Sequence, residues 1–351
     1  MKPDQLESQA RAALKKCLEE APFLQVKGVK KSARKDASPD LLLKLRLQNH
    51  EQLLVAEVKS SGQPKPAREA VNQLVRRLQS YPGAYGVFVA PYISPQAAKI
   101  CLQAGLGYAD LAGNCRLTFR QVYIAKEGRP NPFGEKRELR SLYSRKASRV
   151  LRVLLVNAGH NRRWKVQALA KEADVSLGQV SNVKKLLAER EWIRTELDGF
   201  SLSAPAALLE EWSQNYSYRR NTVRDFYALQ TIPEIEARLA QECRRAGIRY
   251  TLTGFSAAAR LAPAVRNQRA MAYVQEGVDE LARRLSLKEV DSGANVSLLA
   301  PYDAGIFYGA QNFNGAQVAS PVQVYLDLKS YPGRGDEAAN AILEQVIRPT
   351  W

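Results

Sequence analysis

Two short apolar runs, Leu41–Leu47 and Leu53–Ser60, flank the polar turn Gln48-Asn49-His50-Glu51 and read as the two strands of a hairpin. Strand side chains alternate between faces, so Glu57 and Lys59 share one face while Val58 turns into the core. Folding about the Asn49–His50 bond would set Asp40, just after Pro39, opposite Lys59. Two carboxylates and an ammonium would then lie together. A pair of acids can hold Mg²⁺ through oxygen ligands, and the metal can supply hydroxide or steady a leaving phosphate oxygen. A lysine beside them can orient water or stabilise charge on a phosphorane-like centre. Asp40 and Glu57 are therefore the expected metal ligands, and Asp40, Glu57 and Lys59 the expected catalytic residues. Gln73, on a following helix, could add an amide contact. The plainer alternative is a surface ion pair between Glu57 and Lys59, worth at most about 1 kcal/mol.

The same arrangement, Pro39-Asp40 with Glu57-Val58-Lys59, resembles the PD-(D/E)xK nuclease motif. A second acid-x-Lys triplet, Asp327-Leu328-Lys329, lacks that setting. Downstream of the first triplet the patterning predicts a helix over Pro66–Ser80, a strand over Ala84–Ala90 and a helix over Ser94–Ala104. Further strands are expected around Tyr108–Leu111 and Gln121–Ala125. That order is similar to the restriction-endonuclease-like core and spans residues 1–126.

Charge narrows the partner. The 351 residues carry 52 Lys and Arg against 35 Asp and Glu, a formal charge of +17. A field of that sign attracts polyanions, above all nucleic acid. Between Arg129 and Lys165 there are 11 basic residues against Glu135 and Glu138, and Lys27, Lys30, Lys31, Arg34 and Lys35 form a second cluster. No apolar run reaches the length of a membrane span, and the N-terminus lacks the apolar segment of a secretory signal. Cys17, Cys101, Cys115 and Cys243 are scattered without a C-x-x-C pair, which fits reduced, buried thiols in a cytoplasmic protein. His50 and His160 are too few for a histidine metal cage, and no glycine-rich phosphate loop is present.

Residues 127–144, rich in Pro, Gly and charge, read as a basic linker. A helix with the stripe Val150, Leu151, Leu154 and Leu155 follows, then Lys165–Ala173, the turn Asp174-Val175-Ser176 and a helix over Leu177–Glu189. Ala170 is small at the helix crossing, Val175 fills the turn and Ser176 is placed to cap the second helix. Val180, Val183 and Leu187 then face inward, leaving Gln179, Ser181, Asn182, Lys184 and Lys185 outward for base edges or phosphates. Trp192–Thr195 and Phe200–Ser203 around Asp198-Gly199 predict a hairpin wing with Arg194 at its base. Residues 145–204 thus read as a winged helix-turn-helix for double-stranded DNA. Arg145, Lys146 and Arg149 add positive charge beside it.

In the last part of the chain a strand turns through Gly254 into a helix (Thr251-Leu252-Thr253-Gly254-Phe255-Ser256-Ala257), and Ser320–Leu328 precedes Pro332–Ala339. These passages resemble the AbiEi-type antitoxins of type IV toxin–antitoxin systems, across residues 145–351. The resemblance implies a nucleotidyltransferase-like α+β domain over 205–351, repression of an operon and a nucleotidyltransferase-like toxin as counterpart. Transferase chemistry itself is not expected, because the next strand, Ala270–Val274, carries no acid pair to hold a metal. Asp327 and Arg334 are expected to form a structural ion pair or a partner-binding surface.

The expected fold is multidomain α/β: a restriction-endonuclease-like domain, a winged helix-turn-helix and a nucleotidyltransferase-like domain. The expected function is a DNA-binding transcriptional regulator, which could pair as a homodimer. The alternative is a Mg²⁺-dependent endonuclease targeted by the winged helix.

Overall fold

The computed structural model describes residues 3–31, 39–47, 50–133, 142–160, 162–264, 267 and 269–351. The chain forms two compact units: Met1–Arg140 with Leu186–Glu191, and Ser141–Lys185 with Trp192–Trp351. Gln48 and Asn49, the expected basic residues Arg34, Lys35, Lys136, Arg137 and Arg140, and the side chains of Lys30 and Lys31 lie outside the described residues.

The first unit is a helix, α1 (Pro3–Glu19), followed by β1 (Leu24–Lys31), β2 (Leu41–Leu47), β3 (His50–Val58), α2 (Pro64–Leu78), β4 (Tyr85–Ala90), α3 (Pro95–Gln103), β5 (Gly107–Asp110), β6 (Cys115–Phe119) and β7 (Val122–Lys126). The seven strands lie side by side in chain order, with β3–β4 and β4–β5 parallel and the remaining pairs antiparallel. Period-two alternation gives this sheet two apolar faces. Leu43, Leu45, Leu54, Ala56, Val87 and Val89 pack with Ala10, Leu14 and Leu18 of α1. Val55, Phe88 and Ala90 pack with Ala67, Ala70 and Leu74 of α2 and with Ala97 and Cys101 of α3. Proline opens both α2 and α3, where its missing N–H costs nothing, and the Ser94 hydroxyl accepts from Ala97 N–H at the start of α3.

The hairpin register differs from the expected one by two residues. Leu47 pairs with His50 and Leu41 with Ala56, so one further step carries Asp40 opposite Glu57, not Lys59. Gln52 is buried within this ladder. Its amide donates to Gly83 O at 2.7 Å and accepts from Arg120 Nε at 2.8 Å.

The second unit opens with α4 (Arg145–Val156), α5 (Val166–Glu172) and α6 (Leu177–Glu189), then the hairpin β8 (Ile193–Glu196) and β9 (Gly199–Leu202). The hairpin's two-residue loop is Leu197-Asp198, between the pair Glu196↔Gly199, which corrects the expected Asp198-Gly199 turn. Gly199 is held in the strand by a close approach: a Cβ there would meet Trp164 O at 2.9 Å. Trp164 and Phe200 exchange backbone hydrogen bonds of 2.7 and 3.0 Å at that point.

Next come α7 (Pro205–Gln214), β10 (Thr222–Tyr227), α8 (Ile232–Ala246), β11 (Tyr250–Leu252), α9 (Gly254–Leu261), β12 (Ala270–Val274), α10 (Val278–Arg284), β13 (Lys288–Glu289), β14 (Val296–Ala300), β15 (Gln311–Phe313), β16 (Ala316–Val318), α11 (Pro321–Lys329) and α12 (Gly335–Ile342). The sheet order is β13-β10-β14-β12-β11-β16-β15, mixed in direction. Thr231 and Glu234 form a capping box at the start of α8, and Gly247 ends that helix in the left-handed conformation. Gly254 has φ +51°, and a Cβ there would sit 2.5 Å from Met271 Sδ, so the strand-to-helix turn requires glycine.

Asp327 does not pair with Arg334. Arg334 is exposed and holds Glu337 at 2.9 Å, whereas Asp327 is 1% exposed on α11. The Asp327 carboxylate accepts from Thr253 Oγ1 (2.5 Å), Tyr216 OH (2.6 Å), Tyr273 OH (2.8 Å) and Gln323 Nε2 (2.9 Å). Gln323 Oε1 in turn accepts from the fully buried Arg152 of α4, at 3.0 Å from Nε and 2.7 Å from Nη2. Burial pushes the Asp327 pKa above the ordinary carboxylate range, against the pull of its four donors.

Removing the acceptor strands several buried donors, so Asp327→Ala is expected to lose at least about 3 kcal/mol in urea unfolding, and Asp327→Asn less. Because the folded pKa is raised, the carboxyl's contribution is present below the ordinary Asp value of about 3.9 and is lost as pH rises through the raised value. Wild type should therefore lose stability relative to Asp327→Asn as pH rises above about 4, which unfolding midpoints across pH will measure.

Candidate functional site

Two clusters gather residues singled out in the sequence, one in each unit. In the first unit, β3 presents Glu57 on the sheet face that carries Val55, toward α2. Gln73 and Arg77 stand one helical turn apart on α2 and reach back to it. Lys59 Nζ donates to Gln73 Oε1 at 2.6 Å and lies 3.7 Å from Glu57 Oε2. Glu57, 1% exposed, also forms an ion pair with Arg77. The Asp40 carboxylate accepts from Val58 N–H at 2.8 Å, which fixes the chain just ahead of β2 onto the end of β3. Glu57, Lys59 and Gln73 are thus brought together as expected, and Arg77 joins them. Its spacing of four residues from Gln73 was the available signal for it.

As arranged, these residues do not fit a divalent cation. Glu57 already has two cationic partners, Arg77 and Lys59, and an oxygen of Asp40 is engaged by the backbone. Among the described residues no group of three or more His, Cys, Asp or Glu side chains is arranged to hold a metal ion. A cation would have to displace guanidinium from a buried carboxylate.

The second cluster lies along α6. Asp174 turns the chain with φ +50°, and Ser176 Oγ accepts from Gln179 N–H at 3.2 Å, so the serine caps the helix. Val180, Val183 and Leu187 are each 0% exposed. Ser181, Asn182 and Lys185 are exposed, Gln179 is half-buried, and Lys184 lies over the Phe200 ring at 5.0 Å. Val175 is half-buried in the turn. Leu177, exposed at the head of the same helix, was not singled out in the sequence.

The basic block around this helix divides sharply. Arg152 is buried, and Arg149 is held by Asp303 Oδ1 at 2.8 Å and by Asp174, which raises its pKa. Arg163 pairs with Glu196 at 2.7 Å and Asp198 at 2.8 Å across the hairpin, and Arg162 stacks 3.9 Å from the Trp164 ring. Arg145 and Lys146 remain exposed in the first turn of α4, and Arg194 is exposed on β8. Cations at a helix N-terminus oppose the helix dipole, so Arg145 and Lys146 are placed against their own helix's electrostatic preference.

Residues 201–348 match a family model described as "Transcriptional regulator, AbiEi antitoxin, Type IV TA system". The last part of the chain is thus similar to the regulators of that family. The match covers less than half of the chain and begins at β9, so α4, α5 and α6 precede it. No curated protein and no solved structure matched the chain. Among the described residues no helix is long and apolar enough to cross a membrane.

Incubation with supercoiled plasmid and Mg²⁺ is expected to leave the plasmid intact. Cleavage that requires Mg²⁺, stops with EDTA and disappears in Lys59→Ala would show that Arg77 yields to a metal after all.

Proposed function

We propose that this chain is a DNA-binding transcriptional regulator of AbiEi-antitoxin type, in which α6 and the β8–β9 hairpin engage duplex DNA. The observation that carries the reading is the junction between α4 and the family segment. Arg152 is buried against Gln323, and α4 through α6 belong to the same compact unit as residues 201–348 apart from the end of α6. A regulator needs a surface that reads DNA, and the outward face of α6 offers hydroxyl, amide and ammonium groups at helical spacing. Ser181, Asn182 and Gln179 have the chemistry for base edges. Lys184, Lys185, Arg194, Arg145 and Lys146 have the chemistry for phosphates.

The toxin counterpart implied by the family is a nucleotidyltransferase-like protein. Symmetric binding of two copies to a palindromic operator is the arrangement in which two such helices fit successive major grooves. The first unit, on this reading, adds its charge to the field that draws DNA in and contributes no cleavage.

Binding to mixed-sequence duplex DNA is expected to weaken steeply with salt, with a log–log slope of about −0.9 for each phosphate contacted. Lys185→Ala should make that slope shallower by about 0.9, whereas Arg163→Ala, whose partners are Glu196 and Asp198, should leave it nearly unchanged. Fluorescence anisotropy across a salt series checks both. A flat salt dependence, or equal slopes for wild type and Lys185→Ala, would remove the basis for the proposed interface.

A further inference from the structure

Cys17 on α1 and Cys115 on β6 lie in the same core of the first unit. Both are buried, both pack in the same apolar cluster, and each thiol shifts the pKa of the other. They also line one cavity of about 140 Å³, together with Lys16, Asp110, Lys126 and Arg129. A polar cavity of that size admits water-sized molecules. The other two cysteines have no such setting: Cys101 and Cys243 are buried among apolar neighbours in separate cores.

We propose that Cys17 and Cys115 are an oxidisable dithiol, converted by hydrogen peroxide entering this cavity into a disulfide that clasps α1 to β6. The Cys17 thiolate attacks one peroxide oxygen: the S–O bond forms, the O–O bond breaks, and the departing hydroxide takes up a proton as water. Cys115 sulfur then attacks the Cys17 sulfenic sulfur, so the S–S bond forms and the S–O bond breaks. The hydroxide released takes the Cys115 proton as a second water. Two thiols and one peroxide become one disulfide and two waters; sulfur is oxidised and the peroxide oxygens are reduced.

The order of events follows from the surroundings. The Cys115 thiol and the charge of Lys126 lower the Cys17 pKa against the effect of burial, which favours thiolate there. The Cys17 thiol, with burial, raises that of Cys115, which therefore waits as a thiol. Burial pushes Cys101 and Cys243 up to about 12, which keeps both unreactive near neutrality.

The test is a peptide map of the full chain after peroxide treatment, with free thiols alkylated under non-reducing conditions. The expected result is a peptide pair joining Cys17 to Cys115 that separates on reduction, with Cys101 and Cys243 alkylated. The melting temperature should rise on oxidation and fall back with dithiothreitol, because the bond closes a long loop. In Cys115→Ser the sulfenic acid should persist on Cys17 and be trapped by dimedone. Native thiols that stay alkylatable, Cys17 carried on to sulfinic acid without a link, or links to Cys101 or Cys243 would each overturn the proposal. Should Cys115→Ser not fold, the wild-type map decides.

Discussion

A buried carboxylate that must be satisfied organises the second unit. Asp327 lies on α11, yet its four donors come from the segment after α7, the end of β11, the middle of β12 and α11 itself. An unpaired charge in that position would be costly, so each of these elements must arrive in register for the unit to form. Arg152 extends the requirement to α4 through Gln323, and its guanidinium also lies 5.1 Å from the Trp212 ring on α7. The helix that opens the unit is thereby tied to the family segment by a polar contact with no solvent to substitute for it.

The same accounting explains how a chain of charge +17 uses its cations. Arg149, Arg152 and Arg163 serve internal partners, and Arg77 and Lys59 neutralise the buried Glu57. Lys185, Arg194, Arg145 and Lys146 are exposed, and among the described residues no acid is seen to neutralise them. Their free charge is the part available to a polyanion.

Much of this was legible locally. The bounds of β2, α6 and β12 follow from apolar periodicity, and Ser176 caps α6 because a hydroxyl three residues ahead of a free N–H has few other uses. Glu57, Lys59 and Gln73 meet because strand alternation and helix spacing are short-range rules. What failed was non-local. The hairpin register lies two residues from one folded about the Asn49–His50 bond, and Gln52 within it bonds to Gly83 and Arg120, far away in sequence. Asp327 looked like the partner of a nearby arginine, but its donors come from residues up to 111 positions away. The amphipathic α1 and the strands β1, β6, β10 and β14 went unread, since basic or mixed segments give weak periodic signals until a sheet is present to pack against.

The central claim is that DNA is engaged through α6 and its hairpin. Hydrogen–deuterium exchange of the full chain, with and without saturating duplex DNA, tests it most directly. The account predicts slowed exchange over Leu177–Lys185 and Ile193–Leu202, with β3 and α2 of the first unit unchanged. Protection confined to β3 and α2, with α6 exchanging as in the free protein, would contradict it.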